Sequence, residues 1–453
     1  MTALPVLGRL AWVGNRAESL VAAAAILAMA VLPVAEMLLR PFGVGMPGSQ
    51  DFVQHMTLWV AFVGAMIATR EKRHLSLSTG LNILPPRVAR YGDLLVAMAS
   101  ATVSTGLFWA SLQFTLTEYR FPLGGQGLWV PAWLLISVMP LAFAVITVRF
   151  VLQAGGGVMR IAALAGIPVA FLLGELLVPA VPQLALLLVA VLILAAIMGA
   201  PIFIVIGGAA LVLFVGEGVP VAAVPVEPYR IVVSSAIPAI PLFTLTGYLL
   251  AEGKAGERLV RLFRALFGWM PGGMPIATTL VCAFFTTFTG ASGATILALG
   301  GLLLPVLVLN KYSERFSLGL LTATGSIGLL FPPSLAVILY AVVAKVSIPD
   351  MFVAGIVPGA LMVGAVCIYG IVRGRIDRTP RIAFERREAL DAVWRAKYEI
   401  ALPLVVLYSM FGGWATLIEA AAITVVYALV VGVFIHRDLD IRRNLPDGLM
   451  KCV

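Results

Sequence analysis

The sequence predicts an all-α, polytopic membrane protein, and three observations predict it. Of 453 residues, 61% are hydrophobic and only 12% charged, with a mean hydropathy of +1.04, which leaves too little polar surface to solvate a globule. The apolar residues fall into many runs of about 20, the length an α-helix needs to cross a bilayer. Two runs are broken inside their apolar stretch, at Thr289-Gly290-Ala291-Ser292-Gly293 and at Gly325-Ser326-Ile327-Gly328-Leu329-Leu330-Phe331-Pro332-Pro333. Lipid tolerates unwound backbone only where protein or a water-filled cavity satisfies the freed N–H and C=O groups, and broken helices at membrane depth mark secondary transporters.

Each element follows in order. Residues 17–39 form an apolar run too long for a signal peptide's core and without a convincing cleavage site, so they read as a retained anchor. Spans are expected at 52–69, 91–115 and 133–152. After a glycine joint at Gly155-Gly156-Gly157 come 161–178, 184–198, 202–215 and 237–251. Residues 274–346 are the broken region, expected to hold a re-entrant hairpin with its tip at 289–293 and a discontinuous helix. Spans at 351–372, 400–411 and 416–435 complete the chain. Between 256 and 269, Leu259, Leu262, Phe263, Leu266 and Phe267 share one helical face while Glu257, Arg258, Arg261 and Arg264 occupy the other, the pattern of an amphipathic interfacial helix.

The net charge of +9 is spread over short loops between apolar runs and not over one domain face, which argues against a nucleic-acid partner and for membrane lipid. With the N-terminus in the cytoplasm, the loops bearing Arg70, Lys72, Arg73, Arg87 and Arg90, then Arg149 and Arg160, then 254–264 and 373–397 all fall on that side, as the positive-inside bias requires. The arrangement holds only if the hairpin enters and leaves through the cytoplasmic face. A short internal likeness, Ala195-Ala196-Ile197-Met198-Gly199-Ala200-Pro201 beside Met410-Phe411-Gly412-Gly413-Trp414-Ala415-Thr416, points to an inverted repeat.

The chemistry concentrates at the breaks. Thr289 and Ser292 offer hydroxyl oxygens beside small residues that let two half-helices approach, although such residues also serve plain helix packing. Pro332 and Pro333 lack N–H donors, so carbonyls about four residues upstream lose their helical partners, and Gly325 and Gly328 let the backbone turn; a Pro-Pro pair is also a simple kink. Carbonyls at a half-helix C-terminus suit a hard cation and a half-helix N-terminus suits a carboxylate. Among ionisable residues near the spans, Glu36, Asp93 and Glu175 lie near span ends, where a solvated head is expected, and Glu419 is kept as a candidate. The three cysteines (Cys282, Cys367, Cys452) and three histidines (His55, His74, His436) have no metal-ligand spacing. No nucleophile with a base, catalytic carboxylate pair or phosphate-binding loop stands out, so an enzyme is not expected, and uphill transport would draw on an ion gradient.

Four stretches carry a resemblance: Gly199-Ala-Pro-Ile-Phe-Ile-Val-Ile-Gly-Gly-Ala-Ala, Ile240-Pro-Leu-Phe-Thr-Leu-Thr-Gly-Tyr-Leu-Leu-Ala-Glu-Gly, Phe284-Phe-Thr-Thr-Phe-Thr-Gly-Ala-Ser-Gly-Ala-Thr-Ile and Gly325-Ser-Ile-Gly-Leu-Leu-Phe-Pro-Pro-Ser. In this order they resemble the large permease subunit of tripartite ATP-independent periplasmic (TRAP) transporters. The first four spans, with Gly48-Ser49-Gln50-Asp51, residues 58–65 and Arg70 to His74, resemble the family's small membrane subunit. The resemblance implies three domains: 1–155, a four-helix small-subunit-like part; 156–182, a connecting transmembrane helix; and 183–453, the N-terminal part of a large permease subunit. It also implies an elevator-type transporter fold in the bacterial inner membrane, with the second inverted repeat incomplete.

By this resemblance a periplasmic substrate-binding protein delivers an organic anion, a carboxylate such as a C4-dicarboxylate, and Na⁺ entry as the coupling ion drives it inward. The sodium-binding residues carried over are Thr289, Ser292, Gly328, Phe331 and Pro333; Gly290, Gly293, Gly325 and Ser326 are expected along the substrate cavity and hairpin tip. No cofactor is implied. The family's second hairpin and second Pro-Pro break have no counterpart here, so either a separate polypeptide carries that half of the permease or the chain is a truncated product. A non-transporting membrane scaffold remains the alternative reading.

Overall fold

A computed structural model describes residues 3–76, 85–122, 130–176, 181–440 and 444–452. Val178, where one span was expected to end, and the side chains of Arg9, Arg87 and Glu175 lie outside what it describes. Among the described residues the protein is helical, with eight helices long and apolar enough to cross a membrane, or nine if one pair bent by 46° counts as a single span. It divides into two compact units, Met1–Ala25 with Pro47–Val233, and Ile26–Met46 with Ser234–Cys452.

The first unit is built on the helix Pro86–Arg120, against which Val138–Gln153, Gly157–Phe171 and Ile202–Gly216 pack. The three helices packed on it are apolar over most of their length, so packing and not amphipathicity sets their contacts. Val103, Leu107, Leu192 and Ile204 form one buried cluster and Met66, Ala142 and Ile146 another. At one end of the bundle Arg149 (2.5 Å) and Arg70 (3.3 Å) both reach Glu18. These arginines sit in two of the basic segments expected to share a membrane face. Between Val181–Ile197 and Ile202–Gly216 the chain turns through Gly199, at φ +97°, and the Ile202 N–H is tied to the Leu75 carbonyl at 2.9 Å.

The second unit carries the interrupted helices. Gly273–Thr289 and Ser292–Leu309 form the two arms of a hairpin joined by Gly290 and Ala291 alone. Glu314–Thr324, the 3₁₀ turn Ile327–Leu330 and Leu335–Ala344 form the broken helix. The amphipathic helix Ala255–Phe267 does not leave its apolar face to lipid: Leu259, Val260 and Leu262 are buried, and the helix packs against the hairpin's first arm. The long helix Ile348–Ile376 covers the break, with Phe331 set against Gly359. Lys397–Phe411 and Leu417–Val430 follow, joined through Gly413 at φ +71°. This helix, left-handed glycine, helix arrangement matches the one at Gly199, the two places where the sequence showed its internal likeness.

Candidate functional site

The site is assembled from four helix ends. The first arm stops at Thr289 because Gly290 turns left-handed, φ +64°, with its N–H closing on the Thr286 carbonyl at 2.9 Å, a conformation that glycine adopts without the Cβ penalty. The second arm starts at once, so Ser292 and Gly293 are already helical and the unwound part of the tip is shorter than the five residues read from sequence. In the broken helix, tight turns carry the chain from Ala323 to Ser334: Phe331 N–H donates to the Gly328 carbonyl at 3.1 Å and Ser334 N–H to the Phe331 carbonyl at 2.9 Å. The Gly325 carbonyl receives no backbone N–H.

Threonines of the hairpin satisfy what the break exposes. The Thr286 hydroxyl lies 3.0 Å from the Gly325 carbonyl, 2.8 Å from the Cys282 carbonyl and 2.9 Å from the Thr295 hydroxyl. Thr289 and Thr295 hydroxyls meet at 2.8 Å. Thr287 donates to the Gly328 carbonyl at 3.2 Å, or to its own helix at Ala283, 2.8 Å away. Each hydroxyl carries one proton, so the cluster holds more lone pairs than protons to fill them. Two helix C-termini also converge here, Thr289 of the first arm and Thr324 before the break, each with the partial negative charge of a helix end. A neutral, oxygen-rich and proton-poor cluster at two such ends suits a monovalent hard cation.

The structure places the expected residues unequally. Thr289 belongs to the cluster, and Gly328 is locked beside it: an added Cβ would stand 2.2 Å from the Ala283 carbonyl and 2.7 Å from Thr286 Cβ. Ser292 is half-buried at the start of the second arm, one helical turn before Thr295. Phe331 uses its carbonyl within the turn, and Pro333 is buried. Of the expected cavity residues, Gly293 and Ser326 are exposed, whereas Gly290 packs against Leu335 and Gly325 against Ile296. Sequence reasoning missed Thr286, Thr287 and Thr295. The signal was present: Thr279, Cys282, Thr286 and Thr289 recur at intervals of three and four, one helical face.

Glu419 lies apart from this cluster. It closes a capping box with Thr416, accepting from the Thr416 N–H at 2.7 Å, and pairs with Arg40. Its burial is structural: it starts the helix Leu417–Val430.

Residues 186–451 match the family described as the tripartite ATP-independent periplasmic transporter, DctM component, and residues 29–160 match the DctQ component of the same transporters. The chain is 30% identical over 411 residues, 86% of its length, to the isethionate TRAP transporter permease protein DctMQ of Oleidesulfovibrio alaskensis, of which the match covers 63%. It is 36% identical over 203 residues, 44% of its length, to 45% of the C4-dicarboxylate TRAP transporter large permease protein DctM of Vibrio cholerae. A match of 33% identity covers 45% of this chain and 48% of the ectoine TRAP transporter large permease protein TeaC of Halomonas elongata. The chain thus spans between about half and two thirds of the length of these relatives.

Proposed function

This chain belongs to the TRAP transporter permeases, with the small and large components in one polypeptide, and from that membership we propose that it serves Na⁺-coupled, binding-protein-dependent import of organic acids. The observation that carries the reading is the convergence of two helix C-termini on the Thr286, Thr289 and Thr295 hydroxyls and the Gly325 carbonyl. A sodium ion at this cluster draws on Thr289 and on the Gly328 turn, with Ser292 and the backbone of Phe331 and Pro333 as the adjoining oxygens. The exposed Gly293 and Ser326 lie where an organic anion meets the N-terminal ends of the second arm and of Leu335–Ala344, whose partial positive charge suits a carboxylate.

In this reading residues 1–155 act as the small-subunit part, 156–182 as the connector and 183–453 as permease. The hairpin unit shifts as an elevator between the two sides of the inner membrane, the N-terminus being cytoplasmic. The transport unit is this chain together with whatever completes the length of its relatives, and a periplasmic binding protein that brings the substrate. Isethionate, C4-dicarboxylates and ectoine are named for the relatives, and a small carboxylate or sulfonate is the substrate class proposed here. The test is uptake of radiolabelled organic acids into vesicles holding the completed permease. Accumulation is expected only with the binding protein outside and an inward Na⁺ gradient. Equal accumulation under a K⁺ gradient overturns the coupling, and none under any gradient favours the scaffold reading.

A further inference from the structure

A buried charge cluster in the second unit takes no part in the site above. Arg258, in the first turn of the amphipathic helix, donates to Glu399 and to Asp438, each at 2.6 Å, and the Lys254 backbone N–H also donates to Asp438, at 3.0 Å. Glu399 is 1% exposed and the Asp438 side chain 6%, so two carboxylates and one guanidinium share a site withdrawn from water. Their sum is −2 + 1 = −1, and an uncompensated buried charge is costly. Glu399 Oε2 and Asp438 Oδ1 have no hydrogen-bond partner, and both residues line a cavity of about 20 Å³, room for a single water molecule. One more titratable group reaches the cluster. The Nε2 atom of His436 is buried, makes no hydrogen bond, and lies 3.6 Å from Glu399 Oε1.

We propose that His436 is a proton-operated clasp for this cluster. Imidazole is the side chain that changes charge between about pH 5 and 8. With a proton on Nε2, His436 brings the cluster to neutrality and donates to Glu399, which fastens the amphipathic helix to Lys397–Phe411 and to the segment after Leu417–Val430. Without it, the net negative charge is left among Leu249, Leu402 and Leu439, and the clasp loosens. The amphipathic helix lies over the foot of the hairpin, where Gly256 sits close to Leu299. The proton therefore acts on the hairpin's mounting and not on its oxygen cluster.

The groups facing His436 pull in both directions. From the amphipathic helix and its approach come Lys254, Glu257, Arg258 and Arg261, and from the neighbouring helices Arg395 and Lys397, all lining one groove with His436. Tyr398 meets the imidazole edge-on at 5.6 Å. Tyr427 bonds the Tyr398 carbonyl, and Arg437 and Asp438 follow in the chain. Lys254 and Arg395 are exposed, where salt screens their field, whereas Arg258 is already paired with Glu399 and Asp438. Glu399, buried and 3.6 Å away, is the carboxylate that a proton on Nε2 would meet.

Hydrogen exchange on the full chain in lipid nanodiscs, corrected for intrinsic pH dependence, tests this. Because the clasped form holds the proton, protection exists at low pH and is lost as pH rises. Backbone amides of 255–267 and 431–440 are expected to lose about tenfold in protection from pH 6 to pH 8, while the first unit, which carries His55 and His74, serves as an internal reference. His436→Gln should show the low protection at both pH values, and His436→Arg, with a fixed cation, the high one. Unchanged protection in the wild type, or the full tenfold drop in His436→Gln, overturns the proposal.

Discussion

Buried hydroxyls behave differently in the two units, and the contrast shows what turns a membrane helix into a site. In the first unit Thr105, Ser111 and Thr115 each return their proton to a carbonyl of their own helix, at 2.7–2.9 Å. Thr147 reaches Ser104 across a helix pair but also bonds its own Phe143 carbonyl. Those carbonyls already belong to intact helices, so the hydroxyl is consumed locally and leaves nothing for a ligand. At the hairpin, Thr286 and Thr287 have the same local option, yet the nearby break offers the Gly325 and Gly328 carbonyls as well. The residue type is the same. Only the interruption of the backbone makes the oxygens available.

Substitutions that act on one side of this contrast should differ in size. The largest effect is expected for Gly328→Ala, whose methyl group would strike the Ala283 carbonyl. Backbone cannot yield as a side chain tip does, so a loss of about 3 kcal/mol, the upper end for overpacking, should appear as a lowered unfolding midpoint. Gly364→Ala, in the continuous helix Ile348–Ile376 with nothing within 4 Å, should instead gain about 0.5–1 kcal/mol. If both lose equally, the close packing of the break is not what distinguishes it.

Thr286→Val comes next. It keeps the shape of the side chain but removes the donor to the Gly325 carbonyl, at a cost of about 2 kcal/mol. Ser111→Ala removes a donor whose carbonyl acceptors, Leu107 and Phe108, sit within a helix, so chemical unfolding should register less than half as much. Thr416→Ala then measures an ordinary helix start: losing the bond from the Glu419 N–H at 3.3 Å should cost about 1 kcal/mol. The smallest effect is expected on acidification at Glu388. Hydrogen bonds from Arg261 hold its carboxyl below the usual range, so the pair's contribution is present above that range and fades as pH falls through the depressed value. With the side chain partly exposed and the pair screened by solvent, it should leave a slight acid-side slope in stability, absent in Glu388→Gln.

Much of this fold is legible in the sequence. Lipid forces unpaired amides into helices, so apolar run length marked the helices, and Gly290 with Pro332 and Pro333 marked both interruptions. What the sequence did not reveal were partnerships. Whether Thr286 serves its own helix or the neighbouring break depends on how the hairpin lies against Ile327–Leu330, a tertiary fact that periodicity along one helix does not encode. Glu419 misled for a related reason: a carboxylate near an apolar run reads as functional until the Thr416 cap and Arg40 are seen to occupy it. The cluster at Arg258, Glu399 and Asp438 joins residues up to 180 positions apart, and no local pattern announces it.

If the threonine cluster at the broken helix holds sodium, as proposed, thermal unfolding of the purified chain in NaCl and in KCl at matched ionic strength will register it. A higher midpoint in Na⁺ is predicted, with the difference abolished by Thr286→Val and retained by Ser111→Ala. Identical midpoints in the two salts, or a sodium response that survives Thr286→Val unchanged, would contradict it.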